Sequence, residues 1–218
     1  MILISDHVWY LPNHIDMVTC PKNGMTSFKS FYHTAYRKAE NRRLEHEKFE
    51  YAKGGPLHRR DQRIWNMSSF HDYPFRSGST RFAVKRDPVK RFVSAVEFLQ
   101  RRGRLQEPRC DRDYTHYEKV SDVLDGLENN RIFEFHLLPQ TYFMGDRCKY
   151  DHIYDIVDLS SMFKAMTKKM GLQWSSALNV KANTMKTPVE KRITNDLSFT
   201  DIERIKSLYQ IDYDNGWC

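Results

Sequence analysis

Apolar residues along this chain follow two rhythms: short runs of strand length, and longer stretches with an apolar residue at every third or fourth position. Residues 2–5 and 15–20 predict two short strands, parted by the breaker Pro12-Asn13. From residue 27 to about 51 breakers are few, and Phe28, Phe31, Tyr32 and Ala35 fall at helical spacing, which predicts a long helix. Its later part, around Arg37-Lys38 and Arg42-Arg43, mixes in glutamates and reads as a solvated face. Gly54-Gly55-Pro56 ends it. Residues 57–78 lack a clear period, and their arginines, His71, Trp65 and Tyr73 suit a functional loop or a partly helical cover. Residues 81–86 alternate as a strand does, and Asp87-Pro88 then sets a proline at a first helical position. Val89, Phe92, Val93, Val96 and Leu99 predict one apolar face of a helix running to about residue 102, with Ser94 off that face.

Beyond it the pattern weakens. Residues 107–126 read as polar loop, 131–135 as a strand, and Ser160 or Ser161 as the cap of a helix reaching about residue 170. Residues 179–188 form a polar loop and 188–197 a helix. Thr200-Asp201-Ile202-Glu203 has the spacing of a capping box opening a last helix, whose core face is Ile202, Ile205, Leu208 and Tyr209. Strands that alternate with helices predict an α/β fold.

Composition narrows this. A length of 218 residues suits one domain, or one domain with an appended lobe, and 13% aromatic residues support a packed core despite 29% charged ones. Residues 1–110 carry 21 Lys/Arg against 11 Asp/Glu, whereas residues 111–218 carry 14 against 17. The positive field therefore belongs to the first half, where it would attract acidic glycans, nucleic acid or anionic lipid. No run reaches the length of a membrane span and no signal pattern opens the chain, so as it stands a soluble, cytoplasmic protein is expected. The four cysteines, Cys20, Cys110, Cys148 and Cys218, lack CxxC spacing, which argues against structural zinc; free thiols are the simplest reading, and nothing in the sequence supports a Cys110–Cys148 bridge over it.

Two segments carry candidate chemistry. Val18-Thr19-Cys20-Pro21-Lys22-Asn23-Gly24-Met25-Thr26-Ser27-Phe28 begins as an apolar run, turns at Pro21, and then offers a lysine, an amide, a glycine and two hydroxyls before a helix. That order suits an anion, because glycine permits close backbone approach and a helix start presents amides and a favourable dipole. The plain alternative is an ordinary turn with a solvated lysine. Arg86 stands at a strand end and Ser94 eight residues on in the next helix, where an arginine can grip a phosphate through paired hydrogen bonds and a serine can add another. The plain alternative there is a surface Arg-Asp pair and a solvated serine.

Pro21-Lys22-Asn23-Gly24-Met25-Thr26-Ser27 resembles the phosphosulfate loop of sulfotransferases that use 3′-phosphoadenosine 5′-phosphosulfate (PAPS). Arg86-Asp87-Pro88-Val89-Lys90-Arg91-Phe92-Val93-Ser94 resembles the 3′-phosphate site of the same family. His136-Leu137-Leu138-Pro139-Gln140, the following strand-like 150–157 and the ending Leu208-Tyr209-x-x-Asp212-Tyr213 look like features of its carbohydrate branch, of chondroitin and HNK-1 type. The resemblance covers about residues 15–215. It implies a mostly parallel central sheet flanked by helices, a sulfotransferase fold akin to P-loop nucleotide kinases. It also implies one domain over residues 1–218, with a donor-binding core at about 15–102 and acceptor-side or closing elements at about 54–80 and 103–218.

By that resemblance Lys22, Asn23, Gly24, Met25, Thr26 and Ser27 would hold the phosphosulfate, and Lys22 would also act in catalysis by neutralising charge on the leaving phosphate. Arg86 and Ser94 would hold the 3′-phosphate, and Lys181 and Lys186 would close over the nucleotide. The product nucleotide would be PAP, and no metal is expected. The acceptor must lose a proton, so a base is required: His71 first, then His58 and His136. The expected partner is an acceptor substrate, a glycan or another hydroxyl-bearing molecule, with neither nucleic acid nor a membrane span. A bacterial or viral enzyme fits a chain of this length, and a Golgi-lumen setting would require it to be the catalytic domain of a longer protein. Two competitors stay open: a nucleotide-dependent phosphotransferase, which the missing Gly-x-x-x-x-Gly-Lys-Ser/Thr weakens, and a non-catalytic basic module for acidic glycan or nucleic acid.

Overall fold

A computed structural model describes residues 8–39, 75–101, 117, 119–129, 132, 134–175 and 197–218. The chain forms two compact units, Met1–Lys85 with Tyr142–Asn183, and Arg86–Thr141 with Thr184–Cys218.

The first unit is built on a four-stranded sheet: β1 (Val8–Leu11), β2 (Ile15–Val18), β3 (Thr80–Lys85) and β4 (His152–Asp155), in that spatial order. β1 and β2 form an antiparallel hairpin closed at Leu11↔Ile15, while β2–β3 and β3–β4 pair parallel. The sheet is therefore mixed rather than all parallel. Asn13 and His14 turn the hairpin with φ of 57° and 54°, and the Asn13 amide donates to the Lys169 carbonyl at 3.1 Å. The predicted strand at 2–5 lies outside the described residues. β1 was not expected, because its four residues carry no alternation.

Alternate residues of the strands, Ile15 and Met17 of β2 with Phe82 and Val84 of β3, join one core cluster. Helix α1 (Met25–Ala39) adds Phe28, Phe31, Tyr32 and Ala35 to it, the four positions whose spacing predicted the helix. Phe31 stacks on Phe163 with centroids 4.4 Å apart, and Trp9 meets Phe28 edge-on. On the strand's other side Asp16 is buried, and Arg76 satisfies it through Nε (2.7 Å) and its own backbone N–H (2.8 Å). The same guanidinium donates to the carbonyls of Leu11 and Ile15.

The second unit packs helices. We label α2 (Pro88–Arg101) and α3 (Val120–Glu128), followed in the chain by the single turn α4 (Thr141–Met144), whose first residue is the last of this unit's first segment, by α5 (Leu159–Lys169) of the first unit, and then by α6 (Phe199–Leu208) and α7 (Gln210–Asp214). Phe92, Ala95, Val96 and Leu99 of α2 pack with Val123 and Leu124 of α3 and with Leu137, Ile205 and Tyr209. Asp87 caps α2 by accepting from Lys90 N at 2.8 Å, and Pro88 follows as the first helical residue.

Four local expectations are corrected. The stretch read as loop over 107–126 contains α3 from Val120 onward, because Val120, Val123, Leu124 and Leu127 keep helical spacing under the surrounding polar residues. The predicted strand 131–135 does not reach Phe135, which starts a 3₁₀ turn through Leu137. The capping box of α6 is Ser198 with Asp201: Ser198 Oγ accepts from Asp201 N, and the Asp201 carboxylate accepts from Ser198 N, each at 3.1 Å. Thr200 has the same spacing to Glu203 but already lies in the first turn. Ser160 and Ser161 likewise lie inside α5, because the 3₁₀ turn Ile156–Asp158 runs straight into it.

Candidate active site

The stretch after β2 is a wound turn. Asn23 N donates to the Cys20 carbonyl at 3.1 Å, and the first bond of α1 runs from Phe28 N to Gly24 O at 2.9 Å. The amides of Met25, Thr26 and Ser27 precede that bond, at the positive end of the helix dipole. Lys22 and Gly24 both take left-handed backbone, φ 70° and 79°. For Lys22 this costs about 1–2 kcal/mol, so the rest of the fold must hold it there. One holder is Asn23, buried, whose side-chain N–H donates to Val84 O of β3 at 2.8 Å. Gly24 has a second reason to be glycine: a Cβ there would lie 2.8 Å from Leu159 Cδ1. Thr26 is exposed and Ser27 buried. A turn of this winding at a helix start presents backbone amides in the way an anion cradle does.

In the second unit Arg86 follows β3 directly and is half-buried. Ser94 is 8% exposed, buried in the protein by itself, so the solvated-serine alternative fails. Arg91 and Glu97, one turn before and after it on α2, are buried as well. Tyr213 has its phenol pushed up to about 12 by burial and by the field of Asp87, so it stays neutral at ordinary pH.

The segment 134–141 is stitched into this unit by polar bonds. Arg91 donates to His136 O, and Tyr209 OH to Leu137 O. Gln140, fully buried, donates from Nε2 to the carbonyls of Arg86 (2.8 Å) and Trp217 (2.7 Å), and its Oε1 accepts from Arg86 N (3.3 Å). Asp212, also fully buried, accepts from Gln140 N, Thr141 N and Thr141 Oγ1 at 2.7–3.0 Å. The sequence flagged both the His-x-x-Pro-Gln step, with His136 as the third candidate base, and the C-terminal Tyr209/Asp212 pattern, but gave Gln140 and Asp212 no role. No local signal could have joined residues 72 positions apart.

His136 is the one histidine among the three candidate bases that falls in the described residues. Its Nδ1 lies 2.7 Å from Glu134 Oε1, and its ring tilts against Phe98 with centroids 4.7 Å apart. With Nδ1 donating to the carboxylate, the neutral ring offers Nε2 as an acceptor, the arrangement a base requires. His58, His71, Lys181 and Lys186 lie outside the described residues. The two donor motifs fall in separate units, Lys22 to Ser27 in the first and Arg86 with Ser94 in the second. Among the described residues no three His, Cys, Asp or Glu side chains gather as a metal site, and no helix is long and apolar enough to cross a membrane. Cys148 is exposed and unbridged, and Cys110 lies outside the described residues.

A family model described as Sulfotransferase family matches residues 6–215. The chain belongs to the sulfotransferase family. Neither a curated protein nor a solved structure matches it significantly. Members of this family are transferases that move a sulfuryl group to an acceptor, and they generally use PAPS as donor. The α/β architecture, with helices flanking a mixed sheet of four strands among the described residues, is consistent with that family's fold.

Gly24→Ala is expected to cost about 1–3 kcal/mol in urea unfolding, from positive φ and the Leu159 contact together. A variant as stable as the parent would overturn this account of the turn. Asp212 provides a pH test. Burial raises its carboxyl above the ordinary 3.8, outweighing the hydrogen bonds from Thr141 and Gln140 and the Arg91 charge, which lower it. Folding thus favours the protonated form, so this contribution is full below 3.8 and is lost as pH rises through the raised value. The stability of the parent relative to Asp212→Asn should therefore fall as pH rises from about 3 toward about 7. Unfolding curves across that range measure it, and a difference that grows with pH would refute it.

Proposed function

We propose that this sulfotransferase moves a sulfuryl group from PAPS to a hydroxyl or amine of an acceptor, leaving PAP. The observation that carries the reading is the Pro21–Ser27 turn, wound left-handed at Lys22 and Gly24 into the start of α1. Lys22, Thr26, Ser27 and the amides of the turn would hold the phosphosulfate. Asn23 supports the turn through Val84. Arg86 and Ser94 would take the 3′-phosphate, the group that separates this donor from ATP, and Lys181 and Lys186 would cover the nucleotide. The donor supplies an activated sulfuryl group; the chain's own part is to orient it and to neutralise charge. Lys22 would supply the cation that neutralises the charge the 5′-phosphate gains when it leaves sulfur. A histidine takes the proton of the acceptor as its oxygen or nitrogen bonds to sulfur. His71 and His58 are candidates by their position between the two donor motifs. His136 is the third, and Glu134 gives it the orientation a base needs.

The acceptor we favour is a carbohydrate. Arginines mixed with aromatic residues over 57–78 suit an acidic sugar, since rings stack on sugar faces while cations meet carboxylate or sulfate. The His136-x-x-Pro139-Gln140 step points to the same branch of the family.

Incubation with sulfur-labelled PAPS and a panel of glycans, lipids and phenols tests this. Sulfation of a glycan is the expected result, and Lys22→Ala and Arg86→Ala should each lower turnover by about 100-fold or more. Turnover with ATP in place of PAPS would overturn the donor assignment, and sulfation confined to phenols or lipids would overturn the acceptor.

A further inference from the structure

We infer that Gln140 is a positioning residue for the 3′-phosphate: it fixes the backbone of Arg86, and Asp212 in turn fixes Gln140. This rests on the reading of Arg86 as the 3′-phosphate ligand. One side chain holds both polar groups of the Arg86 backbone, accepting from its N–H at 3.3 Å and donating to its carbonyl at 2.8 Å. This is the pair of bonds that a neighbouring strand would make, and it arises where β3 has just ended and no ladder continues. With N–H and carbonyl both tied, the Arg86 peptide planes cannot rotate freely, and the direction in which its side chain departs is set.

Gln140 is itself immobilised. Its other amide hydrogen goes to the Trp217 carbonyl at 2.7 Å, so both amide hydrogens point at backbone oxygens. The opposite amide orientation would set its oxygen against those two carbonyls, which fixes the assignment. Its main chain is anchored on the Asp212 carboxylate, which accepts from Gln140 N at 3.0 Å and from both donors of Thr141. Gln140 and Asp212 are fully buried, so a broken bond here leaves an unpaired polar group without water to replace it. The chain of contacts runs from α7 through Gln140 to Arg86, all inside one compact unit. Arginine reads a phosphate through a planar fork, and a displacement of about 1 Å at such a contact can cost about 100-fold. Fixing the backbone beneath the fork is therefore a means of selecting a nucleotide that carries a 3′-phosphate.

The test is calorimetric binding of adenosine 3′,5′-bisphosphate and of adenosine 5′-monophosphate to the whole chain. The parent should prefer the bisphosphate, and Arg86→Ala should abolish the preference. Gln140→Glu keeps the shape but removes both amide donors. It should lower the preference by about tenfold or more while leaving monophosphate affinity unchanged. Asp212→Asn, a milder change, should lower it in the same direction and serves if Gln140→Glu fails to fold. A variant that only loses folded protein binds both nucleotides less, in equal proportion, and that result would overturn the inference. So would a preference kept in full by the Gln140 and Asp212 variants while Arg86→Ala loses it. A preference that survives Arg86→Ala, or is missing in the parent, would instead refute the role given to Arg86 itself.

Discussion

The parallel pairing of β2 with β3 is the constraint on which the Pro21–Ser27 turn depends. Val18 lies opposite Ala83, so the two strands end side by side and point the same way. The chain leaving β2 therefore turns beside the last residues of β3, and Asn23 can reach the Val84 carbonyl. A buried hydrogen bond of this kind contributes about 1 kcal/mol when made and costs about 1–3 kcal/mol when one partner is lost. That is the size of the strain at Lys22, whose positive φ would relax in a free peptide. The sheet thus supplies the rigidity that lets a lysine occupy a conformation suited to glycine. Leu159 closes the space that a side chain at position 24 would need.

The helical unit solves a different problem. Its apolar cluster is joined to a set of buried polar groups, Arg91, Ser94, Glu97, Gln140, Thr141 and Asp212. Such groups are tolerated inside a protein when they are hydrogen-bonded, and they then specify one arrangement more sharply than apolar packing does. Gln140 and Asp212 show how. Each serves several backbone groups at once, in a segment that has no regular ladder of its own between the turn at Leu137 and the turn at Thr141. The raised carboxyl of Asp212 marks the desolvation cost of the arrangement. Both partners of the Arg86 backbone thereby come from one distant side chain.

Much of this was legible beforehand, for identifiable reasons. The α1 face Phe28, Phe31, Tyr32 and Ala35, and the strand–Asp-Pro–helix step at 81–101, follow from local period and from the stereochemistry of proline at a helix start. The anion-cradle reading of Pro21–Ser27 follows from residue types that act through their own backbone. Where local signals were weak or doubled, the reading slipped. The capping box could sit at Ser198 or Thr200 on spacing alone, and α3 was hidden by charged neighbours. A four-residue strand such as β1 has too few positions to show a period.

The sequence by itself determined the family, the apolar face of α1 and the strand–Asp-Pro–helix step at 81–101, because each depends on neighbours a few positions apart. Only the tertiary structure decided that β3 pairs parallel with both β2 and β4, why Asn23 faces inward, that Ser94 is buried, and that Gln140 holds Arg86. Those facts join residues 54 to 77 positions apart, or report what the packing encloses, and no local propensity encodes them. Burial is the physical reason: a polar side chain removed from water must find a partner, and the fold determines which partner is within reach.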